Sequence, residues 1–216
     1  MYSKTIEKDG VEYGVQSDKT LVIVNARNAK FTNLMIPREV QGMAVVKVDQ
    51  NAFRHSRAKT VLFPDTMKQV GSCAFYCNAT IKSVTFAAPK VAISEMAFCG
   101  CFKLQQVKAG EIHLLGRDTF SKCKNLQTLQ GKLSGVIQTF AFCDCKRLEA
   151  LTFSDNITIQ DTAFHGCQCL QKFYFGNSAK LTPSILAFVR KRVIICPEDS
   201  ELMELAYGGT TALNKE

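Results

Sequence analysis

No stretch of this chain is apolar for long enough to cross a membrane. The longest runs, such as Leu21–Val24 and Val193–Cys196, fall far short of a spanning helix. No secretory leader is expected either, since Met1-Tyr2-Ser3-Lys4 runs straight into Glu7, Lys8 and Asp9. The expected location is therefore the cytoplasm, or the cell surface by a non-classical route, or the surface after a leader has been trimmed. Tryptophan is absent while phenylalanine reaches 15. That skew points to Phe recurring at one place in a motif. Acidic residues are outnumbered, 19 against 27 basic, for a net charge of +8. Such a surface favours acidic partners: anionic glycans, nucleic acid, acidic proteins or an anionic membrane face. Hydrophobic residues at 46% and charged ones at 21% exclude a disordered chain, and 216 residues suit one sizeable domain.

What is present is a repeat. A small residue followed by Phe recurs as Ala52-Phe53, Ala74-Phe75, Ala97-Phe98, Thr119-Phe120, Ala141-Phe142, Ala163-Phe164 and Ala187-Phe188. Three residues after each Phe come Ser56, Asn78, Cys101, Cys123, Cys145 and Cys167, and six after come Ile81, Leu104, Leu126, Leu148 and Leu170. An alternating pair follows: Val84/Phe86, Val107/Ala109, Leu129/Gly131, Leu151/Phe153 and Phe173/Phe175, with Val61/Phe63 in the first repeat. Alternation over so short a run reads as a half-buried strand. A further apolar column, Val48, Val70, Ile93, Leu115, Ile137 and Ile159, precedes the next Phe by five.

These columns predict a coil of about 22 residues per turn, with one short strand per turn stacked into a parallel sheet. No turn can bury its own apolar side chains, so the stack makes the core. Residues 1–51 form an N-terminal cap and first repeat, in which Val11–Val15 and Leu21–Val24 flank Ser17-Asp18-Lys19-Thr20 as a β-hairpin. Residues 52–197 form the repeats. Residues 198–216 form a C-terminal cap, with Ser200 capping a short helix over Glu201–Tyr207 and a frayed tail beyond.

The segments Ile36-Pro37-Arg38-Glu39-Val40-Gln41-Gly42-Met43-Ala44-Val45, Phe63-Pro64, Val70-Gly71, Ala97-Phe98-Cys99-Gly100-Cys101-Phe102-Lys103-Leu104 and Ala141-Phe142-Cys143-Asp144-Cys145-Lys146-Arg147-Leu148 resemble the consensus of BspA-like leucine-rich-repeat proteins. The resemblance runs from about Val11 to Tyr207. Together with the periodicity it gives a right-handed leucine-rich-repeat solenoid with capped ends. It implies ligand binding or protein interaction, for some relatives as surface adhesins binding host or matrix proteins, and it implies that Cys101, Cys123, Cys145 and Cys167 point inward.

Ten cysteines admit three roles. A ladder of buried, reduced thiols is the leading one. Disulfides between turns are allowed by the turn spacing but disfavoured by parallel side chains. Zinc is disfavoured because Cys99-x-Cys101, Cys143-x-Cys145 and Cys167-x-Cys169 have one intervening residue, where zinc sites favour two to four; a Cys143/His165 pair is the one alternative. Cys99 and Cys143 are expected on outer turns as reactive thiols, and Cys196 on an inward strand position.

The outward strand positions hold no His, no Asp and a single Glu. They offer neither paired carboxylates nor a nucleophile–base pair, and no glycine-rich phosphate loop appears. No catalysis, cofactor or metal is therefore expected. The candidate ligand residues are Gln106, Lys108, Thr128, Gln130, Thr152, Lys172 and Tyr174 on the strand face, and a basic stripe of Lys103, Lys124, Lys146 and Arg147 beside it. Arg57 begins that stripe and Arg190-Lys191-Arg192 lies beyond its end. A protein or an anionic glycan is the expected partner of a non-catalytic binding module. An intracellular scaffold with reduced thiols is the alternative. Nucleic acid is the weaker third choice, because no aromatics interleave with the basic residues.

Overall fold

The computed structural model describes residues 2–155, 157–176, 179–189 and 192–195. The chain opens with three antiparallel strands, β1 (Thr5–Lys8), β2 (Val11–Val15) and β3 (Leu21–Asn25). The expected β2–β3 hairpin is there. Its turn is held by Asp18, whose carboxylate accepts from the Thr20 amide at 3.0 Å and hydroxyl at 2.6 Å. Strand β1 was not foreseen, although its signal was legible. Asp9-Gly10 joins β1 to β2 with both residues left-handed, at φ 54° and 75°, as a two-residue hairpin turn needs.

The coil follows as β4 (Asn33–Met35), β5 (Glu39–Val40), β6 (Met43–Val48), β7 (Thr60–Phe63), β8 (Gln69–Val70), β9 (Ser83–Phe86), β10 (Lys90–Ile93), β11 (Gln106–Leu115), β12 (Thr128–Ile137), β13 (Ala150–Phe153), β14 (Ile157–Ile159), β15 (Lys172–Tyr174), β16 (Ala179–Leu181), α1 (Pro183–Val189) and β17 (Val193–Ile195). It is a β-solenoid of about seven turns with a repeat of about 22 residues. The expected strand of each turn stacks in parallel as β4-β7-β9-β11-β12-β13-β15-β17. A second parallel ladder, β3-β6-β8-β10-β11-β12-β14-β16, runs beside it. Each turn thus carries two extended segments where the sequence reading found one. The column Val48, Val70, Ile93, Leu115, Ile137 and Ile159 lies in the second. Val91-Ala92-Ile93 and Ile157-Thr158-Ile159 show the same period-two alternation, over runs too short to stand out.

Pro64 and Pro89 follow β7 and β9 and keep the two segments apart, because proline gives the ladder no N–H. In the next two turns Gly110 and Gly131 occupy the equivalent corner, and the segments merge into the ten-residue strands β11 and β12. The merger displaces a column assignment. Gly131 does not stand in rung with Phe153; Leu133 does, fully buried.

The far side of the coil is built around the Phe column. Phe53, Phe75, Phe98, Phe120, Phe142 and Phe164 are buried and stack ring on ring, with centroids 4.5–5.9 Å apart. Each burial stabilises by about 1.5–3 kcal/mol, and each stacked contact adds about 0.5–1.5 kcal/mol. Around each Phe the backbone amides alternate. The amide of Phe75 crosses to Ala97 O at 2.7 Å and that of Cys77 to Cys99 O at 2.8 Å, while those of Tyr76 and Asn78 close turns on Cys73 O and Phe75 O. Left-handed residues two before and two after the Phe, such as Cys73 and Cys77, turn the peptides this way.

The seventh pair breaks the pattern. Ala187-Phe188 lies in α1, not in a turn. Pro183 occupies the first helical position, where its missing N–H costs nothing, and the Thr182 hydroxyl accepts from the Ile185 amide at 3.4 Å. Phe188 still extends the stack, 5.7 Å from Phe164. Arg192 folds inward over it, its guanidinium 3.6 Å from the Phe188 ring and donating to Leu170 O and Phe188 O. It therefore covers the core and does not continue the basic stripe. The expected helix over Glu201–Tyr207, Cys196, and Arg190-Lys191 lie outside the described residues.

Candidate functional site

The inward cysteine column explains itself through hydrogen bonds. Cys101, Cys123, Cys145 and Cys167 are buried, and each thiol donates to the carbonyl of the Phe one turn back. The partners are Phe75, Phe98, Phe120 and Phe142, at 2.9–3.1 Å. Asn78 does the same from the same column, donating to Phe53 O at 2.6 Å and Ser56 O at 3.1 Å. Each Phe carbonyl also accepts the amide three residues on, so both its lone pairs are used. Burial pushes all four thiols well above their ordinary value, Cys167 to about 12. They are packing groups and not nucleophiles.

The expectation of reactive thiols at Cys99 and Cys143 is corrected. Both are half-buried. Burial, with Asp118 nearby, pushes the Cys99 thiol up to about 11, and burial with Asp144 and Asp118 raises Cys143. Thiolate character is suppressed where the sequence suggested activation. Among the described residues, Cys77 and Cys169 are the exposed cysteines.

A polar cluster that sequence reading missed sits where β11 and β12 continue past their corners. Glu111 accepts from Lys90 at 2.8 Å and from the Ser134 hydroxyl. The Nδ1 of neighbouring His113 is buried without a partner. Lys90 foremost, then Ser134, holds the Glu111 carboxyl below its usual range. A carboxylate so committed is a weak base, and the Ser134 proton already points at it. The chemistry is that of a structural bond between turns. The one-residue register shifts of these two strands bring the group together, and no motif announces that.

The strand face holds the predicted ligand residues in one surface. Gln106, Lys108, Thr128, Gln130, Thr152, Lys172 and Tyr174 are exposed or half-exposed, between buried partners such as Val107, Leu129, Leu151 and Phe173. Register brings Lys108 beside Gln130 and Thr152 beside Tyr174. Lys103, Lys124, Lys146 and Arg147 are exposed in the turns leading into this face. Those turns share a tight local closure: the amide of Lys124 meets Lys122 O, that of Lys146 meets Asp144 O, and that of Phe102 meets Gly100 O, each at 2.9 Å. Phe102 is 46% exposed, at the same offset as Lys124 and Lys146. An aromatic ring does stand in the stripe, then, where the sequence reading found none.

One irregularity divides this face. At five junctions, two successive amides share the carbonyl opening the strand one turn back. Lys59 and Thr60 meet Thr32 O; Lys82 and Ser83 meet Lys59 O; Gln105 and Gln106 meet Lys82 O; Gln127 and Thr128 meet Gln105 O; Gln171 and Lys172 meet Glu149 O. The pair Glu149 and Ala150 should meet Gln127 O and does not. Strands β12 and β13 touch only at Lys132–Thr152 and Leu133–Phe153. That register is displaced by two residues from the one Thr128–Gln130 keeps with β11. The strands fork, leaving an open depression of about 260 Å³ lined by Gln127, Thr128, Leu129, Gln130, Gly131, Glu149, Ala150 and Thr152. Gly131 holds the fork at φ 129°, where a Cβ would meet Ala109 O at 2.3 Å. Thr128, Gln130 and Thr152 were predicted ligand residues. Gln127 and Glu149, the single Glu of the outward strand positions, join them in the lining.

Comparison with known proteins agrees with this architecture. The model of the BspA type leucine rich repeat region matches in six copies over residues 26–135 and 135–188. Among solved structures, a T. pallidum leucine rich repeat protein superposes with TM-score 0.62 at 20% identity, covering 92% of this chain and 99% of that one. A leucine-rich repeat protein from Bacteroides capillosus gives 0.47 at 21%, covering 61% and 99%. A leucine rich cell surface protein from Faecalibacterium prausnitzii gives 0.39 at 15%, covering 99% and 100%. Likeness at these identities speaks for the fold alone. No curated protein matches the chain. The six copies span most of the coil built from the Phe, Leu and thiol columns, and the chain belongs to the BspA-type leucine-rich-repeat family.

Proposed function

We propose that this protein is a non-catalytic recognition module that binds another protein across its strand face, with the basic stripe beside that face drawing an acidic partner. The observation that carries the reading is the exposed polar face, flanked on successive turns by Lys103, Lys124, Lys146 and Arg147, none of which forms an ion pair among the described residues. Cations so placed attract an extended acidic ligand and speed its encounter. A sulfated glycan satisfies the same charges and is the second reading. Either ligand suits an adhesin-like role at a cell surface, and protease treatment of intact source cells tests that location.

The binding test is selection of a random peptide library on the immobilised full chain, with a panel of sulfated glycans in parallel. Acid-containing peptides should be enriched, and their binding should weaken with salt and in a Lys124→Ser/Lys146→Ser/Arg147→Ser variant. Retention of sulfated glycans without peptides moves the function to glycan recognition. Enrichment indifferent to both salt and the triple variant overturns the role of the stripe.

A further inference from the structure

The fork between β12 and β13 carries an inference of its own, which rests on the protein-recognition reading. We infer that it docks one peptide group of an extended partner segment, which supplies the rung the sheet lacks. Two amide donors, of Glu149 and Ala150, and one carbonyl acceptor, of Gln127, are released from the ladder at the same place. A peptide group offers the complement, an oxygen with two lone pairs and an N–H. Strand addition uses the same pairing at sheet edges; here it is confined to an internal gap.

The fork is built and not frayed. On one side the amides of Gln127 and Thr128 are fixed on Gln105 O; on the other, Glu149 O is fixed by the amides of Gln171 and Lys172. Beyond the gap, Lys132 and Leu133 close it against Thr152 and Phe153. Both walls are therefore held while the rung between them is missing. Water meets the freed groups in the open state, so a ligand must replace those bonds and not merely cover them.

The lining selects for a peptide over other ligands. Gln127, Thr128, Gln130 and Thr152 present neutral groups that both donate and accept. Glu149 is the single charge, and it opposes a sulfate or carboxylate in the depression. The fork and the stripe therefore recognise different parts of a ligand: acidic side chains outside, neutral backbone within. No aromatic ring lines the depression to stack on a sugar. Its volume of about 260 Å³ admits a short piece of extended chain.

The test is an amide NMR titration of the full chain with an acetylated, amidated hexapeptide of alternating Thr and Val, against N-acetylglucosamine. Peptide should shift the Glu149 and Ala150 amides and their neighbours from Gln127 to Gly131, and slow exchange of the two amides about tenfold. A Gln130→Trp variant, changed at an exposed position, should fill the depression and abolish these shifts; the triple Ser variant of the stripe should keep them. Shifts spread along the whole face, or shifts with N-acetylglucosamine and none with peptide, overturn the inference. If acidic peptides from the library bind while Glu149 and Ala150 stay still, the fork falls and the recognition reading stands. If neither peptide binds, both fall.

Discussion

The same 22-residue unit builds two sides of this coil, and they are not equally strict. On the Phe side, the amides of Phe53, Phe75, Phe98, Phe120 and Phe142 all cross to the next turn without a break. On the strand side, five of the six junctions from β4 to β15 keep their paired amides, and the one at Glu149 and Ala150 does not. The difference follows from what holds each side. The Phe side is fixed by side chains: a small residue before the ring, the ring itself, and a donor three residues later that ties back to the previous Phe carbonyl. The strand side also packs alternate side chains such as Val107, Leu129 and Leu151 inward, but its register is set by backbone hydrogen bonds, so a glycine that bends the chain, such as Gly131, can open one rung without exposing the core.

The sharpest way to break the comparison is to remove one member from each side. Phe120→Ala removes a fully buried ring from the middle of the stack and should cost about 3–5 kcal/mol in urea unfolding. Leu129→Ala, beside the fork, should cost about 2 kcal/mol, the lower end for such a change, because the neighbouring depression lets the site relax. Equal losses would mean that the fork is as tightly determined as the stack.

Gly131→Ala comes next. At φ 129° the added Cβ would meet Ala109 O at 2.3 Å, with Ala109 C and Gly110 O both at 3.0 Å. The fork should either close or distort, at about 1–3 kcal/mol. Exchange of the Glu149 and Ala150 amides distinguishes the two outcomes.

How much of this was legible follows the same division. Every column fixed by side chains could be read: the Phe pairs, the inward thiols, the alternating strand residues, the β2–β3 hairpin. What could not be read depends on backbone register. The second ladder hides in runs of two or three residues. The fork arises because β12 slips by two residues against β13, and a sequence column placed Gly131 where Leu133 stands. Thr128, Gln130 and Thr152 were recognisable as outward, but their gathering around one depression was not. At the C-terminal end the column held and the local structure did not: Phe188 keeps its place in the stack from a helix, because Pro183 favours helix initiation where other repeats have a turn.

The two sides should also respond to opposite ends of the pH scale. The buried thiols belong to the Phe side. Their folded values are raised above the ordinary 9.0, for Cys167 to about 12. Their contribution is thus complete below about pH 9 and is lost as pH rises toward 12, since the unfolded chain releases those protons first. Glu111, whose value is lowered, belongs to the merged strands. Its contribution is present above the unfolded carboxylate range and fades in acid. Four buried thiols against one half-exposed carboxylate should make the alkaline loss the larger in reversible denaturation. Cys123→Ala should flatten the alkaline limb without touching the acid one.

The smallest effect belongs to the stripe. Lys124, Lys146 and Arg147 are exposed on neighbouring turns and form no ion pairs among the described residues, so their repulsion works against folding in dilute salt. Replacing all three with Ser should raise stability by no more than about 0.5 kcal/mol. The gain should vanish near 1 M salt, where screening acts over about 3 Å. A function-free row of lysines would give this gain at no loss elsewhere. A row kept for binding gives the same gain together with weaker capture of acidic peptides, so measuring both on the one variant separates a tolerated surface from a used one.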